Sequence, residues 1–502
     1  MNLTARKMRT TRTKNSHSNI MPVVNVAPFV LQSPTTSATW FPEPDLLFAS
    51  GERSYDPKVG VPLYGPRSLN TGRHKNEIHI GFIGTRPSVT AAREYFLTAA
   101  EGVDGDDQHA PFPGCTPSTG YRMALRTDDS TVELITRQES EDILKIRNGR
   151  QRFESFLATL EDKVRLLAGR DHPLDYVVLA LSADLYRRCK VVDYFEKGKG
   201  PVHRDLRRAF KAMAMRHKIA TQILLDSTSA PRAEDETGGR KLDHSSVVAW
   251  NLFTGMYFKA EGLPWAPSGL PPGSCFIGVS FFRPLGSSST LRTSVVQAFD
   301  ENGEGLVLRG HTFPWDEQKE GRSPHLTEEA AGELVQMVLD RYKNERNQQL
   351  PQRVVVHKSS RFEPAERRGF ENALRAVRLY DLVSLRPDSD VRLLRNARYP
   401  PIRGSAFTVG GMTYLYTTGY LPSIARFPHG HVPSPLQLAD HVGDTAPADL
   451  FREVLVLTKM NWNSANMSGL KPITLRFSKL VGDILREVPE SQEPEAKYKY
   501  YT

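Results

Sequence analysis

The spacing of apolar and polar positions divides this chain into four stretches. Residues 1–40 are polar and basic with no sustained period, so they are expected to be disordered. Residues 41–75 are rich in Pro, Gly and Tyr: Phe41-Pro42-Glu43-Pro44, then Gly60-Val61-Pro62-Leu63-Tyr64-Gly65-Pro66. Such a stretch predicts a segment that wraps a surface and contributes no core element. From residue 77 the pattern becomes regular. Ile78, Ile80, Phe82 and Ile83 read as a strand that stops at Gly84-Thr85-Arg86-Pro87-Ser88, with a helix after it. Phe153, Phe156, Leu157, Leu160, Val164 and Leu167 recur at the helical period until Gly169. Residues 176–181 are a buried strand, 203–217 a helix, 221–225 a strand and 247–259 a helix. Alternation of strand and helix predicts a parallel Rossmann-like sheet over residues 76–265.

The fourth stretch, 266–502, changes order. Strands at 275–282 and 293–299 are followed by Glu301-Asn302-Gly303-Glu304-Gly305 and a third strand at 306–309. That turn has hairpin chemistry, so the three strands form an antiparallel meander. A helix at 328–343, a strand at 353–357 and a helix near 364–376 complete the opening of a ribonuclease-H-like fold. The fold class is therefore α/β, a Rossmann-like domain followed by a ribonuclease-H-like one. No internal repeat is visible.

Composition narrows the function classes. The 502 residues are 39% apolar and 25% charged, a globular balance. No uncharged apolar run reaches the roughly 18 residues of a membrane span. The net charge of +9, from 66 basic and 57 acidic residues, permits a polyanionic partner without requiring one. Arg6, Lys7, Arg9, Arg12 and Lys14 all precede the first acidic residue, Glu43. This start has the composition of a transit peptide but no apolar core segment. A basic arm, or a true start at Met21, is the expectation. Three widely spaced cysteines, Cys115, Cys189 and Cys275, show no metal-ligand spacing and fit a reducing cytoplasm.

One cluster carries candidate chemistry. Arg207 and Lys211 stand four apart on a helix and share a face. Gln222 lies on the next strand, and Lys259 closes the helix 247–259. A terminal phosphate needs converging cations plus a neutral donor, and arginine adds planar bidentate geometry. On spacing alone, an ordinary solvated helix face is the better explanation of Arg207, Arg208 and Lys211.

The surrounding residues favour the phosphate pocket. Leu206-Arg207-Arg208-Ala209-Phe210-Lys211-Ala212, Thr221-Gln222, and Asn251-Leu252 through Lys259 with Gly262-Leu263-Pro264-Trp265 resemble the MID domain of Argonaute proteins. There the four matching positions hold the 5′ phosphate of a guide strand. Arg207 stands where many relatives place Tyr or His, a substitution that still allows stacking on the first base and leaves the base preference open. Phe276-Ile277-Gly278-Val279-Ser280-Phe281-Phe282 resembles the first strand of a PIWI domain, and Val354-Val355-Val356-His357-Lys358-Ser359-Ser360-Arg361-Phe362 its fourth. In cleaving relatives each presents an Asp, at the positions of Ser280 and Ser359. Mg²⁺ is usually anchored by one or two carboxylates, and a neutral hydroxyl is no substitute. The resemblance therefore implies no target cleavage.

Thr458-Lys459-Met460-Asn461-Trp462-Asn463-Ser464 and Lys471-Pro472-Ile473-Thr474-Leu475 resemble the closing part of prokaryotic PIWI domains. Lys459 and Asn461 are read as guide-backbone contacts, with core packing beside Trp462 as the alternative. In several relatives the terminal carboxylate shares a Mg²⁺ with the 5′ phosphate, a role that would fall to Thr502. The resemblance spans residues 42–480 and leaves no room for further Argonaute domains, as in short prokaryotic Argonautes. It implies a cytoplasmic protein of prokaryotic immunity with a guide RNA, a single-stranded DNA target and an APAZ-domain partner. That partner would carry a TIR, sirtuin-like or DNase effector. Two other readings stay open: an active nuclease with displaced metal ligands, and a general nucleic-acid binder or Rossmann-type enzyme.

Lesser signals are weaker. Gly81-Phe82-Ile83-Gly84 is neither a dinucleotide fingerprint nor a Walker loop. His429 and His431 lack neighbouring Cys or carboxylate ligands, so a loop facing nucleic acid is expected. Asp300 and Glu304 belong to a solvated turn. Residues 361–368 read as a solvated helix start from which Arg361 reaches a duplex backbone.

Overall fold

The computed structural model describes residues 37–197, 200–230, 243–287, 290–298, 305–321, 323–422, 427, 432–466 and 469–502. The expectations for residues 1–36, Asp300, Glu304, His429 and His431 lie outside these. The first half is built on β1 (Glu77–Gly84), α1 (Arg86–Glu101), α2 (Gly149–Ala168), β2 (Tyr176–Leu181), α3 (Leu206–Met215), β3 (Thr221–Leu225) and α4 (Ser245–Lys259). β3, β2 and β1 are adjacent and parallel, and short strands at Ala124–Arg126 and Val132–Leu134 join β1 on its other side. All six residues of β2 are buried, as a parallel strand covered on both faces requires. Phe153, Phe156, Leu160, Val164 and Leu167 are the buried stripe of α2. Gly84 is needed for packing: a Cβ there would lie 2.2 Å from the Ala180 carbonyl oxygen.

The second half holds β4 (Ser274–Phe282), β5 (Thr290–Ala298), β6 (Gly305–Pro314), α5 (Glu328–Glu345), β7 (Arg353–Lys358), α6 (Pro364–Leu374), β8 (Leu379–Pro387), β9 (Leu436–Gly443), α7 (Pro447–Leu457) and α8 (Ile473–Leu485). The sheet order runs β6-β5-β4-β7-β8-β9, then strands Met412–Leu415, Ser405–Val409 and Ser37–Trp40. β6, β5 and β4 are antiparallel neighbours, whereas β4–β7 and β7–β8 are parallel. This is the ribonuclease-H-like order. α5 and α6 cover one face through Leu334, Val338 and Phe370. α8 covers the other face, and Gly278 of β4 lets it come close: a Cβ there would sit 2.2 Å from the Thr474 carbonyl oxygen. Gly278→Ala should therefore cost about 1–3 kcal/mol of stability, read as a lower urea midpoint with an unchanged slope.

Three expectations need correction. Residues 37–40 form an edge strand antiparallel to Ser405–Val409, because their backbone completes that sheet. Residues 41–75 do more than wrap: Phe41, Leu46, Phe48 and Val61 are buried, and Pro57–Tyr64 is a helix capped by Asp56. The stretch 203–217 is split, with a strand to Asp205 and the helix only from Leu206. Asp205 sets the boundary, since its carboxylate accepts the Arg208 N–H at 3.1 Å.

The halves share one core. Phe82, Phe253 and Trp265 belong to the same buried cluster as Phe276, Trp462 and Tyr501. Polar ties cross the same seam. Arg208 donates to Asp483 at 3.1 Å, and Arg204 to Glu487 at 2.9 Å, joining the start of α3 to α8 and the residues just after it.

Candidate nucleic-acid interface

The four expected pocket residues converge at that seam. Lys211 points from the buried face of α3 and is only 4% exposed. Its ammonium donates to the Thr221 carbonyl oxygen at 2.9 Å and to the main-chain oxygen of Thr502. Lys259, at the last turn of α4, is 1% exposed. It donates to Gln222 Oε1 at 2.9 Å and lies 5.4 Å from the Tyr176 ring centroid. Arg207 stands exposed on the outer side of α3. Arg207, Gln222 and Thr502 line one open cavity of about 450 Å³.

Electrostatics define what this cavity lacks. Among the described residues neither Lys211 nor Lys259 pairs with a side-chain carboxylate. Burial, then each other's charge and that of Arg207, pushes Lys211 well below its ordinary range. Burial, then Arg207, lowers Lys259 to about 7. For a counter-charge among the described residues Lys211 has only the Thr502 terminus, and Lys259 bonds only the neutral Gln222, so holding both ammonium groups in a dry site is costly. The arrangement is relieved by an anion with several acceptor oxygens.

Sequence reasoning missed part of the wall. Asn251 and Leu252 of α4, Asn463, and Arg476, Lys479 and Asp483 of α8 also line the cavity. Arg476 and Lys479 are three apart on one helix, a spacing that marks a shared basic face. Asn461 lines the cavity as well, with its amide donating to Ser464 Oγ at 3.1 Å.

Lys459 is a correction. It is 1% exposed, and its ammonium is taken by Glu43 at 2.9 Å and by the carbonyls of Pro44 and Tyr55 at 2.6 and 2.7 Å. It anchors the segment after residue 41 and does not face a nucleic-acid backbone. Arg403 shares the same carboxylate at 2.7 Å. The sequence separation between Glu43 and these cations hid the cluster.

Ser280 of β4 and Ser359, just past the end of β7, both follow the last pair of the β4–β7 ladder. Gly278 is opposite His357, and extending that parallel register by two sets Ser280 level with Ser359. Two carboxylates nearby are engaged. Glu366 binds Lys358 at 2.6 Å and the Leu326 N–H at 3.1 Å, all buried. Asp440 accepts the Phe362 N–H at 3.1 Å. A cavity of about 300 Å³ opens here, lined by Ser359, Ser360, Arg361, Glu363 and Arg386. Arg361 is thus remote from the cluster around Lys211.

The backbone matches solved structures. The chain superposes on Clostridium butyricum Argonaute, bound to a guide DNA and a 19-mer target DNA, with a TM-score of 0.62 at 15% identity. The match covers 91% of this chain and 53% of that one. The fold is Argonaute-like. A. aeolicus Argonaute matches with a TM-score of 0.55 at 16% identity over 91% of this chain and 54% of its own. Drosophila Piwi gives 0.55 at 11% identity, over 93% and 56%. The chain thus spans about half the length of these Argonautes, and its two larger sheets resemble the folds of their MID and PIWI domains. No family model and no curated protein matches the sequence. No described helix is long and apolar enough to cross a membrane.

Proposed function

We propose that this chain holds the 5′-phosphorylated end of a guide strand and recognises a complementary strand without cutting it. The observation that carries the reading is the pair of buried ammonium groups, Lys211 and Lys259, with no side-chain carboxylate partner among the described residues, beside a cavity lined by Arg207, Gln222 and Thr502 at the seam of an Argonaute-like fold. A terminal phosphate supplies the missing negative charge. Gln222 is the neutral donor beside it, and Arg207, Arg476 and Lys479 are basic groups around the opening for the following nucleotides.

A Mg²⁺ bridge through Thr502 fits this donor set poorly. The Thr502 oxygen already accepts from Lys211, and Asp483, the side-chain carboxylate in the lining, is 3.1 Å from Arg208. A hard divalent ion favours free carboxylate oxygens. The wall favours direct neutralisation by ammonium groups.

Non-cleavage is supported by Ser280 and Ser359 at the paired strand ends and by the engagement of Glu366 and Asp440. Two-metal hydrolysis needs carboxylates to seat its ions. A guide RNA, a single-stranded DNA target and an APAZ-type effector partner in prokaryotic defence follow from the family resemblance, and they complete the proposal. Pairing would read the sequence while the protein holds shape and backbone.

The test compares 5′-phosphate and 5′-hydroxyl oligonucleotides of one sequence. The phosphorylated strand should bind at least tenfold tighter, and the loaded chain should leave a complementary strand intact in Mn²⁺. Equal affinities would remove the guide-end reading. A guide-directed cut would restore the nuclease reading.

A further inference from the structure

Resting on that reading, we infer that the cavity beside Ser359 grips a backbone phosphate of the paired target directly, through Arg361 and Arg386, with no metal ion. Two observations place this function there. First, the register that sets Ser280 level with Ser359 puts the cavity at the sheet end where a metal-dependent nuclease would seat its carboxylates. Second, the charge of the lining is reversed. Arg361 is exposed and forms no ion pair among the described residues. Arg386 is held by the neutral Gln437 at 2.7 Å, which fixes the guanidinium without cancelling its charge.

Of the negative groups here, one is neutralised and one is engaged by a neutral donor. Glu366 is matched by Lys358 beneath the floor, and Asp440 is occupied by a main-chain N–H. Glu363 is the remaining lining carboxylate. Ser359 and Ser360 add hydroxyl donors at the same opening. Guanidinium groups with hydroxyls match a phosphodiester, which offers two unesterified oxygens and one negative charge. Carboxylates at positions 280 and 359 would repel that phosphate unless an ion screened them. Serines remove the repulsion, so the site can hold what it no longer hydrolyses.

The experiment uses the full chain loaded with a 5′-phosphorylated guide, in EDTA, with complementary single-stranded DNA as the probe. Arg361→Ala/Arg386→Ala should weaken target retention about tenfold or more. It should also flatten the salt dependence by between about 1 and 2 in log–log slope, while guide affinity stays unchanged. Ser280→Asp/Ser359→Asp should lose target affinity in EDTA and recover it with Mn²⁺. Unchanged retention in the arginine double variant would overturn the clamp. So would loss of wild-type target binding on adding EDTA. If the wild-type loaded chain retains no target even with Mn²⁺, the proposed function itself fails and the clamp falls with it.

Discussion

A Lys259→Met chain should bind a 5′-phosphorylated oligonucleotide about 10–100-fold more weakly, yet melt at a higher temperature when free. The first effect is the loss of one charge-assisted contact, about 1.5–3 kcal/mol, at tenfold per 1.4 kcal/mol. The second follows from the depressed pKa. The folded Lys259 releases its proton near 7, whereas the ordinary value is 10.5. The unfolded chain therefore holds more protons across that window, so stability rises with pH between about 7 and 10.5. Below 7 the cost is fully present, at about 1.36 kcal/mol for each pH unit of the difference. Methionine occupies the same space without that cost.

Affinity for the phosphate should run the other way with pH. The ammonium is the binding form, so affinity should fall from pH 7 to pH 9, a range in which the phosphate stays doubly charged. The 5′-hydroxyl oligonucleotide should show neither effect. Anisotropy titrations and thermal melts read both. Equal weakening of the two oligonucleotides would assign Lys259 to general backbone binding.

Glu43→Ala should be the most damaging change outside the pocket, at roughly 3–5 kcal/mol. The carboxylate answers two buried cations, Lys459 at 1% exposure and Arg403 at 2%. Removing it leaves both without a counter-charge. Burial alone would raise the Glu43 carboxyl, but Arg403 and Lys459 outweigh it and hold it below its ordinary value. This group therefore contributes stability above its unfolded pKa of 4.5 and loses it as pH falls through the lower folded value. The deficit of the variant should be large at pH 7 and shrink in acid. Lys459→Met added to Glu43→Ala should recover part of the loss, since one unpaired charge goes with it. Urea denaturation at the two pH values measures all three chains. An additive double variant would show that the residues do not act together.

The fold was legible because its periodicities are clean. The six apolar residues of β2, the helical stripe of α2 and the β4–β5–β6 meander each have one structural solution. The convergence of Lys211, Gln222 and Lys259 was legible only from the family resemblance, because spacing alone favoured a solvated helix face. What stayed hidden was long-range polar pairing. Lys459 looked like a nucleic-acid contact because nothing local announces a carboxylate 416 residues earlier in the chain. The wall from α8 was hidden for a related reason. Arg476 and Lys479 gain meaning only when Gly278 lets that helix settle on β4. Asp205 could have been found, since an Asp three residues before Arg208 is an ordinary helix-start signal.

The seam has a consequence for how the molecule can be divided. Trp265, Phe276 and Trp462 sit in one buried cluster that belongs to neither sheet alone. Expressing the Rossmann-like or ribonuclease-H-like portion separately would bare a broad oily surface, and each fragment should come out of cells insoluble or molten. A strand end wedged between α3 and α8 would act as a third partner in folding. Its loading should lift the melting of both portions together, as a single calorimetric peak whose position climbs with oligonucleotide concentration.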